Sequence, residues 1–401
     1  MSKSFKIKID KRKIKMILFE LFIFLPFFTP DYVFFFDSIG SAIEIWKILS
    51  AVVAIVVYLY RRKISKPFLI MLLFNLWLFF MTIIRDGNMI QCFKYIAAII
   101  SLQIGIEIGL KEKRILIKVL QFCFLIPIVS NFISILMYPN GLYETETTNR
   151  NWLLGYDNTH VQFFLPAFMI ALLNWRDKKN CSSVILIVSI LASVFICQST
   201  TTLVGTVVIM LIAFVPFLKK CTKLFNIRNY TIFSFASFFL IVVLRVQNIF
   251  SFFIVDILQK DLTFTNRTFL WDTTLNYFWQ SPIVGYGWQN YSLRRAMYSS
   301  NSIIFAHNQI LEWLYLGGII YVLIFIYMCV YMNKISKKHR NNENIQIIHA
   351  CFLVLQIMWI TEVYLNPVIY IVLIMCLYAN RFVEEIDIPK GKNDIDEKCI
   401  N

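Results

Sequence analysis

The chain alternates long apolar runs with short polar connections, and this rhythm sets its architecture. Runs of about 20 apolar residues match the length an α-helix needs to cross the hydrocarbon core of a bilayer. Such runs lie near 16–30, 39–60, 67–84, 90–110, 115–138, 160–174, 182–198, 200–218, 231–246, 307–332, 346–363 and 365–380. The expected fold class is therefore an all-α polytopic membrane protein of about 12 transmembrane helices. It forms one domain over 1–380, followed by a flexible, mixed-charge tail at 381–401. Two connections are longer than the rest, 139–159 (YPNGLYETETTNRNWLLGYDN) and 247–306.

Composition agrees. The 401 residues are 58% hydrophobic, with 38 Phe and 12 Gly, more apolar surface than a soluble domain of this size can hide. The formal charge of +15 raises nucleic acid as a partner, but the placement of the charges excludes it. Alternate connections carry Arg61, Arg62, Lys63 and Lys66; Lys111, Lys113 and Arg114; Arg176, Lys178 and Lys179; Lys219, Lys220, Lys223 and Arg228; and Lys334, Lys337, Lys338 and Arg340. With both termini counted, about 30 of the 39 Lys and Arg fall on one side, which the positive-inside rule makes cytoplasmic. Arg85, Arg150, Arg245, Lys260, Arg267, Arg294 and Arg295 fall on the other. The basic start, KSFKIKIDKRKIK, lacks a small-residue cleavage site and reads as the cytoplasmic end of a retained helix. The nine Cys lie mostly within spans without metal-like spacing, so no disulfide and no metal site are expected.

Within the larger outer connection, residues 267–280 follow a helical period. Trp271, Leu275 and Phe278 share one face, and Asp272, Thr273, Asn276 and Gln280 lie elsewhere, as suits a helix lying in the membrane interface. Ser281-Pro282 ends it, and Gly285-Tyr286-Gly287 gives a tight turn that is no nucleotide fingerprint. The candidate chemistry is cationic. Arg267, Arg294 and Arg295, with Arg150 from the other outer loop, have the planar, permanently charged forks that suit a diphosphate. The plainer reading is that each snorkels to headgroups or pairs with Asp261 or Asp272. His307, opening the next span, is a candidate to take a proton from an attacking hydroxyl. Glu312 is an ionisable group in the first turns of that span and stands beside it as a catalytic candidate. Asn308, Trp271, Tyr286 and Trp288 are candidate glycan contacts, with Tyr291 a further ring for stacking. Arg245 reads as a helix-end anchor. Glu44 and Lys47, spaced i, i+3, neutralise one another. Glu20, Lys94, Glu107 and Glu362 receive no chemistry.

The ordered set Arg267, Trp271, SPIVGYG at 281–287 and HNQILEWLYLGG from His307 resembles the O-antigen ligase/polymerase superfamily of bacterial envelope enzymes. The resemblance covers about 55 residues closely; beyond them only the number of spans and the position of the large outer loop agree. It implies a GT-C-like glycosyltransferase in the inner membrane that works without metal, nucleotide or other cofactor. Such enzymes take a glycan from an undecaprenyl-diphosphate carrier and pass it to an acceptor hydroxyl on the outer face. Carried over residue by residue, Arg267 and one of Arg294 and Arg295 hold the diphosphate, and His307 orients or activates the acceptor. One departure is the segment CQSTTTLVG, where many members carry an Arg after a Ser and this chain has Thr200 to Thr202; Arg150 is the candidate replacement. The expected activity is polymerisation of repeat units into capsule or O-antigen. The alternatives are a ligase delivering finished glycan to lipid A core or another terminal acceptor, and, from a different class, a flippase of lipid-linked glycan. Expected partners are the carrier-linked glycan, membrane lipids, and a chain-length regulator and flippase of the same pathway.

Overall fold

The computed structural model describes residues 11–383 apart from 146–147, 149, 178, 198–199, 215–224, 247–266 and 301. Lys178, Lys219, Lys220, Lys223, Lys260, Asp261, part of the expected span at 200–218 and the tail beyond Val383 lie outside the described residues. The helices are α1 (Lys11–Phe24), α2 (Asp37–Tyr60), α3 (Lys66–Ile84), α4 (Met89–Gly109), α5 (Lys113–Met137), α6 (Val161–Asp177), α7 (Cys181–Cys197) and α8 (Thr200–Phe214). There follow α9 (Ile227–Ser237), α10 (Arg267–Gln280), α11 (Tyr291–Met297), α12 (Gln309–Ser336), α13 (Glu343–Met358) and α14 (Ile371–Leu377).

The helix starts are chemically marked. Ser65 caps α3 by accepting from Phe68 N at 3.2 Å, with Pro67 in the first turn, while Asn88, Asn308 and Asn342 cap α4, α12 and α13 in the same way. Four helical stretches, Asp37–Tyr60, Lys66–Ile84, Met89–Met137 and Gln309–His339, are long and apolar enough to cross a membrane. The apolar helices Cys181–Cys197, Ile227–Val243, Glu343–Met358 and Pro367–Leu377 are shorter. On α2 the large residues Ile45, Ile48, Val52, Val56 and Leu59 are exposed, whereas the small Ser50, Ala51 and Ala54 are buried. This is the inside-out pattern of a helix whose bulky side faces lipid and whose small side faces neighbours. Helix α2 packs on α4, α5 on α6 and α7, α3 on α12, and α8 on α13, around one continuous apolar core. Glu44 is neutralised as expected, by Lys47 at 2.8 Å, and also by Lys94 at 3.0 Å.

Three features depart from the periodicity. The 139–159 connection contains a two-stranded antiparallel hairpin, β1 (Asn151–Trp152) with β2 (Gly155–Tyr156), anchored by the buried Trp152. Residues 291–297 form α11. Helix α12 is not continuous, because Gly318 sits at φ 67 and ψ −165 and breaks it.

That break explains two motifs at once. Opening α12 at Gly317-Gly318 frees backbone groups that need partners where no water is available. The SPIVGYG turn supplies them: Tyr286 N donates to Tyr315 O at 2.9 Å, Gly287 N to Leu316 O at 2.8 Å, and Ile319 N to Pro282 O at 2.8 Å. Trp77 Nε1 donates to Gly317 O at 2.8 Å. Gly285, at φ 71, brings its backbone so close that an added Cβ would lie 2.5 Å from Tyr315 O. A Cβ at Gly318 would overlap the Ile283 carbonyl. Gly318→Ala is therefore expected to lower stability by about 3 kcal/mol or more, combining left-handed strain with that clash. Thermal unfolding of the purified variant checks this, and an unchanged midpoint would refute the docked arrangement.

Candidate active site

Described polar residues of the long 247–306 connection meet the start of α12 and the connection after α13. Helix α10 begins with Arg267, and its Nη2 donates to Glu362 Oε1 at 2.5 Å. The other oxygen of that carboxylate faces His307 Nδ1 at 3.3 Å. One carboxylate thus joins the two residues that the sequence had singled out separately. Its own position, in the connection just beyond α13, had carried no chemistry in the sequence. The Glu362 side chain is 9% exposed, against 19% for Arg267 and 34% for His307, so the imidazole is the most open member.

The geometry is held rigidly. Asn308 accepts from Leu311 N at 2.9 Å to cap α12, and its amide donates to Ile360 O at 3.0 Å. Gln309 N donates to Trp359 O at 2.9 Å, and Gln309 Oε1 accepts from Tyr364 N at 3.0 Å. These bonds strap the 359–366 connection across the start of α12 and hold His307 opposite Glu362. His307 itself adopts φ 48, the left-handed region that a side-chain-bearing residue enters at a cost.

Burial pushes the Glu362 carboxyl up, but the hydrogen bond with His307 and the charge of Arg267 outweigh it and hold it below its ordinary 4.5. A depressed carboxyl contributes stability that is fully present above its unfolded value and lost as pH falls through the folded one. Thermal midpoints are therefore expected to fall below about pH 4.5 in the wild-type chain, with a shallower acid-side slope in Glu362→Gln. Equal slopes would remove Glu362 from this linkage.

The two neighbouring arginines of α11 separate. Successive helical residues point in different directions, and Arg294 is buried while Arg295 is exposed. Arg294 Nη2 donates to both Glu312 oxygens, at 2.7 and 2.6 Å, and Arg294 Nε donates to Ile304 O at 2.8 Å. Its guanidinium also lies 4.0 Å from the Tyr315 ring centroid. Burial would lower the Arg294 pKa, yet Glu312 and the hydroxyls of Tyr298 and Tyr315 raise it, so it keeps its proton. Glu312 Oε2 accepts from Ala306 N at 2.9 Å, directly before His307. Arg294 and Glu312, the candidate diphosphate contact and catalytic group, form a buried ion pair with one another that also holds the backbone at Ile304 and Ala306. Their groups are occupied by one another.

The other candidate contacts have the following surroundings. Trp271, expected to stack on sugar, is 0% exposed in a cluster with Val242, Ala306 and Leu311. The Arg245 guanidinium lies 5.0 Å from its ring centroid and pairs with Asp272 at 2.5 Å. Asn308 is a cap. Tyr286 stacks on Tyr315 at 5.1 Å and donates to Tyr277 O at 3.0 Å. Trp288 and Tyr291 line a small pocket beside Arg294 and Glu312.

Arg150 is exposed just before β1, 4.7 Å from the Trp152 ring centroid. Burial raises the Tyr156 phenol, and Asp157 and Glu362 add to the rise, while Arg150 and Arg267 both oppose it. The hairpin therefore brings Tyr156 within the field of both guanidinia, one from each outer connection. Tyr156 was not anticipated, and its only signal was a Tyr following Gly155 in the loop that carries Arg150. Among the described residues no cluster of His, Cys, Asp and Glu is arranged to hold a metal ion.

Residues 161–326 match the family model described as O-antigen ligase. That segment holds Arg267, Arg294, Arg295, His307 and Glu312, whereas Arg150 and Glu362 lie outside it. None of the curated proteins compared with the chain matches it.

Proposed function

Because this membrane protein belongs to the O-antigen ligase/polymerase superfamily through residues 161–326, we propose that it polymerises undecaprenyl-diphosphate-linked repeat units into capsular polysaccharide or O-antigen. The observation that carries this reading is the chain of contacts Arg267–Glu362–His307, with the charge of Arg150 acting, like that of Arg267, on Tyr156. In this reading twelve spans leave both termini in the cytoplasm.

His307 donates from Nδ1 to Glu362 and presents the Nε2 lone pair, so the pair fixes the tautomer that a general base needs. The acceptor hydroxyl loses its proton to Nε2 as its oxygen bonds to the anomeric carbon of the donor glycan. The bond from that carbon to the diphosphate oxygen breaks, and the electron pair leaves with the carrier diphosphate. Arg267 and Arg150 stabilise the charge that grows on it, with Arg295, the exposed one of the α11 pair, a further candidate. Glu362 touches neither reactant and acts as a positioning residue through both partners.

A deletion strain tests the assignment within the superfamily. A polymerase leaves glycan capped at a single repeat unit when removed. Full-length polymer stranded on the carrier lipid would instead indicate the ligase, and loss of lipid translocation alone would indicate the flippase.

A further inference from the structure

The end of the bundle opposite the reaction site holds a second, chemically distinct cavity. Tyr32 N donates to Leu153 O at 3.1 Å, so the chain enters α2 beside the hairpin, and α2 then runs to Arg61 at the far end. There the first half of α1 and the ends of α2 and α4 with the residues just beyond them line a half-open cavity of about 330 Å³. Arg12, Lys13, Lys15, Arg61 and Lys111 line it, against the single carboxylate of Glu112. Among the described residues no carboxylate lies within ion-pair distance of Lys13, Lys15, Arg61 or Lys111.

The lining repeats one pattern on three helices. On α1, Met16 and Phe19 lie membrane-ward of the cations. On α2, Val57 lies one turn inward of Arg61, and on α4, Ile108 lies just inward of Lys111. A cationic mouth over an apolar wall matches a ligand with an anionic head and a hydrocarbon body. A soluble anion has no use for the wall, and cations serving only to orient the chain need no cavity.

We propose that this cavity binds the phosphate headgroup of an anionic glycerophospholipid of the adjoining leaflet. Arg61 and Lys111 hold the phosphate, Lys13 and Lys15 close the mouth, and Phe19, Val57 and Ile108 contact the proximal acyl chain. Basic clefts between membrane helices on the cytoplasmic side suit this chemistry, because that leaflet presents anionic lipid. The inference shares with the glycosyl-transfer reading only its orientation, and it is read out without any glycan.

The test is native mass spectrometry of the full purified chain, after exchange into bilayer discs of phosphatidylglycerol mixed with phosphatidylcholine. A phosphatidylglycerol adduct is expected to be retained with about tenfold preference or more. That preference should be lost in Arg61→Gln/Lys111→Gln and kept in Arg62→Gln/Lys63→Gln, which removes equal charge from the same face outside the cavity. Lys111→Gln alone, at an exposed position, carries the comparison if the double variant fails to fold. Equal retention of both lipids, or equal loss in both pairs, overturns the site. Displacement of the adduct by excess inorganic phosphate assigns the cavity to a soluble anion and overturns the lipid assignment. Lys113 Nζ donates to Val383 O at 3.3 Å, so the sequence beyond Val383, with Glu384, Glu385 and Asp387, begins close by. Lipid binding that appears only when the chain ends at Val383 would make that segment the occupant and overturn the proposal.

Discussion

Replacing His307 or Arg267 with alanine is expected to abolish polymer while leaving the protein in the membrane at its normal level. In the proposed mechanism His307 offers the ring nitrogen that takes the hydroxyl proton, a contribution of about 10²–10⁴ in rate. In the same proposal Arg267 faces the charge developing on the leaving diphosphate, where loss of one donor removes a further factor of about 10²–10³. Arg267→Lys should also be impaired, because an ammonium reproduces neither the fork to the diphosphate nor the bond to Glu362 together. His307→Gly separates the imidazole from its backbone, since glycine relaxes the left-handed φ of 48 without restoring the base. It should be stable and inactive. Full-length glycan from either alanine variant would exclude the proposed site.

Arg294→Ala is expected to act on the fold rather than on the chemistry. It leaves the Glu312 carboxylate buried without its cation, a loss of about 3–5 kcal/mol when one partner of a buried pair is removed. It also frees the 298–308 loop that ends at His307, so activity falls with it. Replacing both partners, Arg294→Met with Glu312→Met, should recover much of the stability, because no charge is then stranded. Arg295→Gln, one residue along and exposed, should change stability by less than about 0.5 kcal/mol. Thermal unfolding of the three variants checks the order, and an Arg294→Ala midpoint equal to that of Arg295→Gln would refute the pairing.

Much of the helical plan was legible because apolar length and charge placement act locally. Helix α10 runs from Arg267 to Gln280, the range its periodicity predicts, since Trp271 and Phe278 recur on the face that is buried. The break at Gly318 was not legible as a break. Its reason is the SPIVGYG turn, more than thirty residues earlier, which supplies the missing hydrogen bonds. The division of Arg294 from Arg295 needed the helix that places them on different sides. Glu362 was passed over because nothing near it in the chain marks it; its meaning comes from Arg267 and His307, which reach it across the fold. Trp271 shows the converse, a ring of a type suited to sugar that is fully buried in the fold.

The most direct test gives purified protein a lipid-diphosphate oligosaccharide in proteoliposomes and follows both the glycan and the carrier. The expected result is free carrier diphosphate with the glycan joined to a new acceptor hydroxyl, absent in Arg267→Ala and His307→Ala. Movement of the intact lipid across the bilayer without bond exchange would contradict the account.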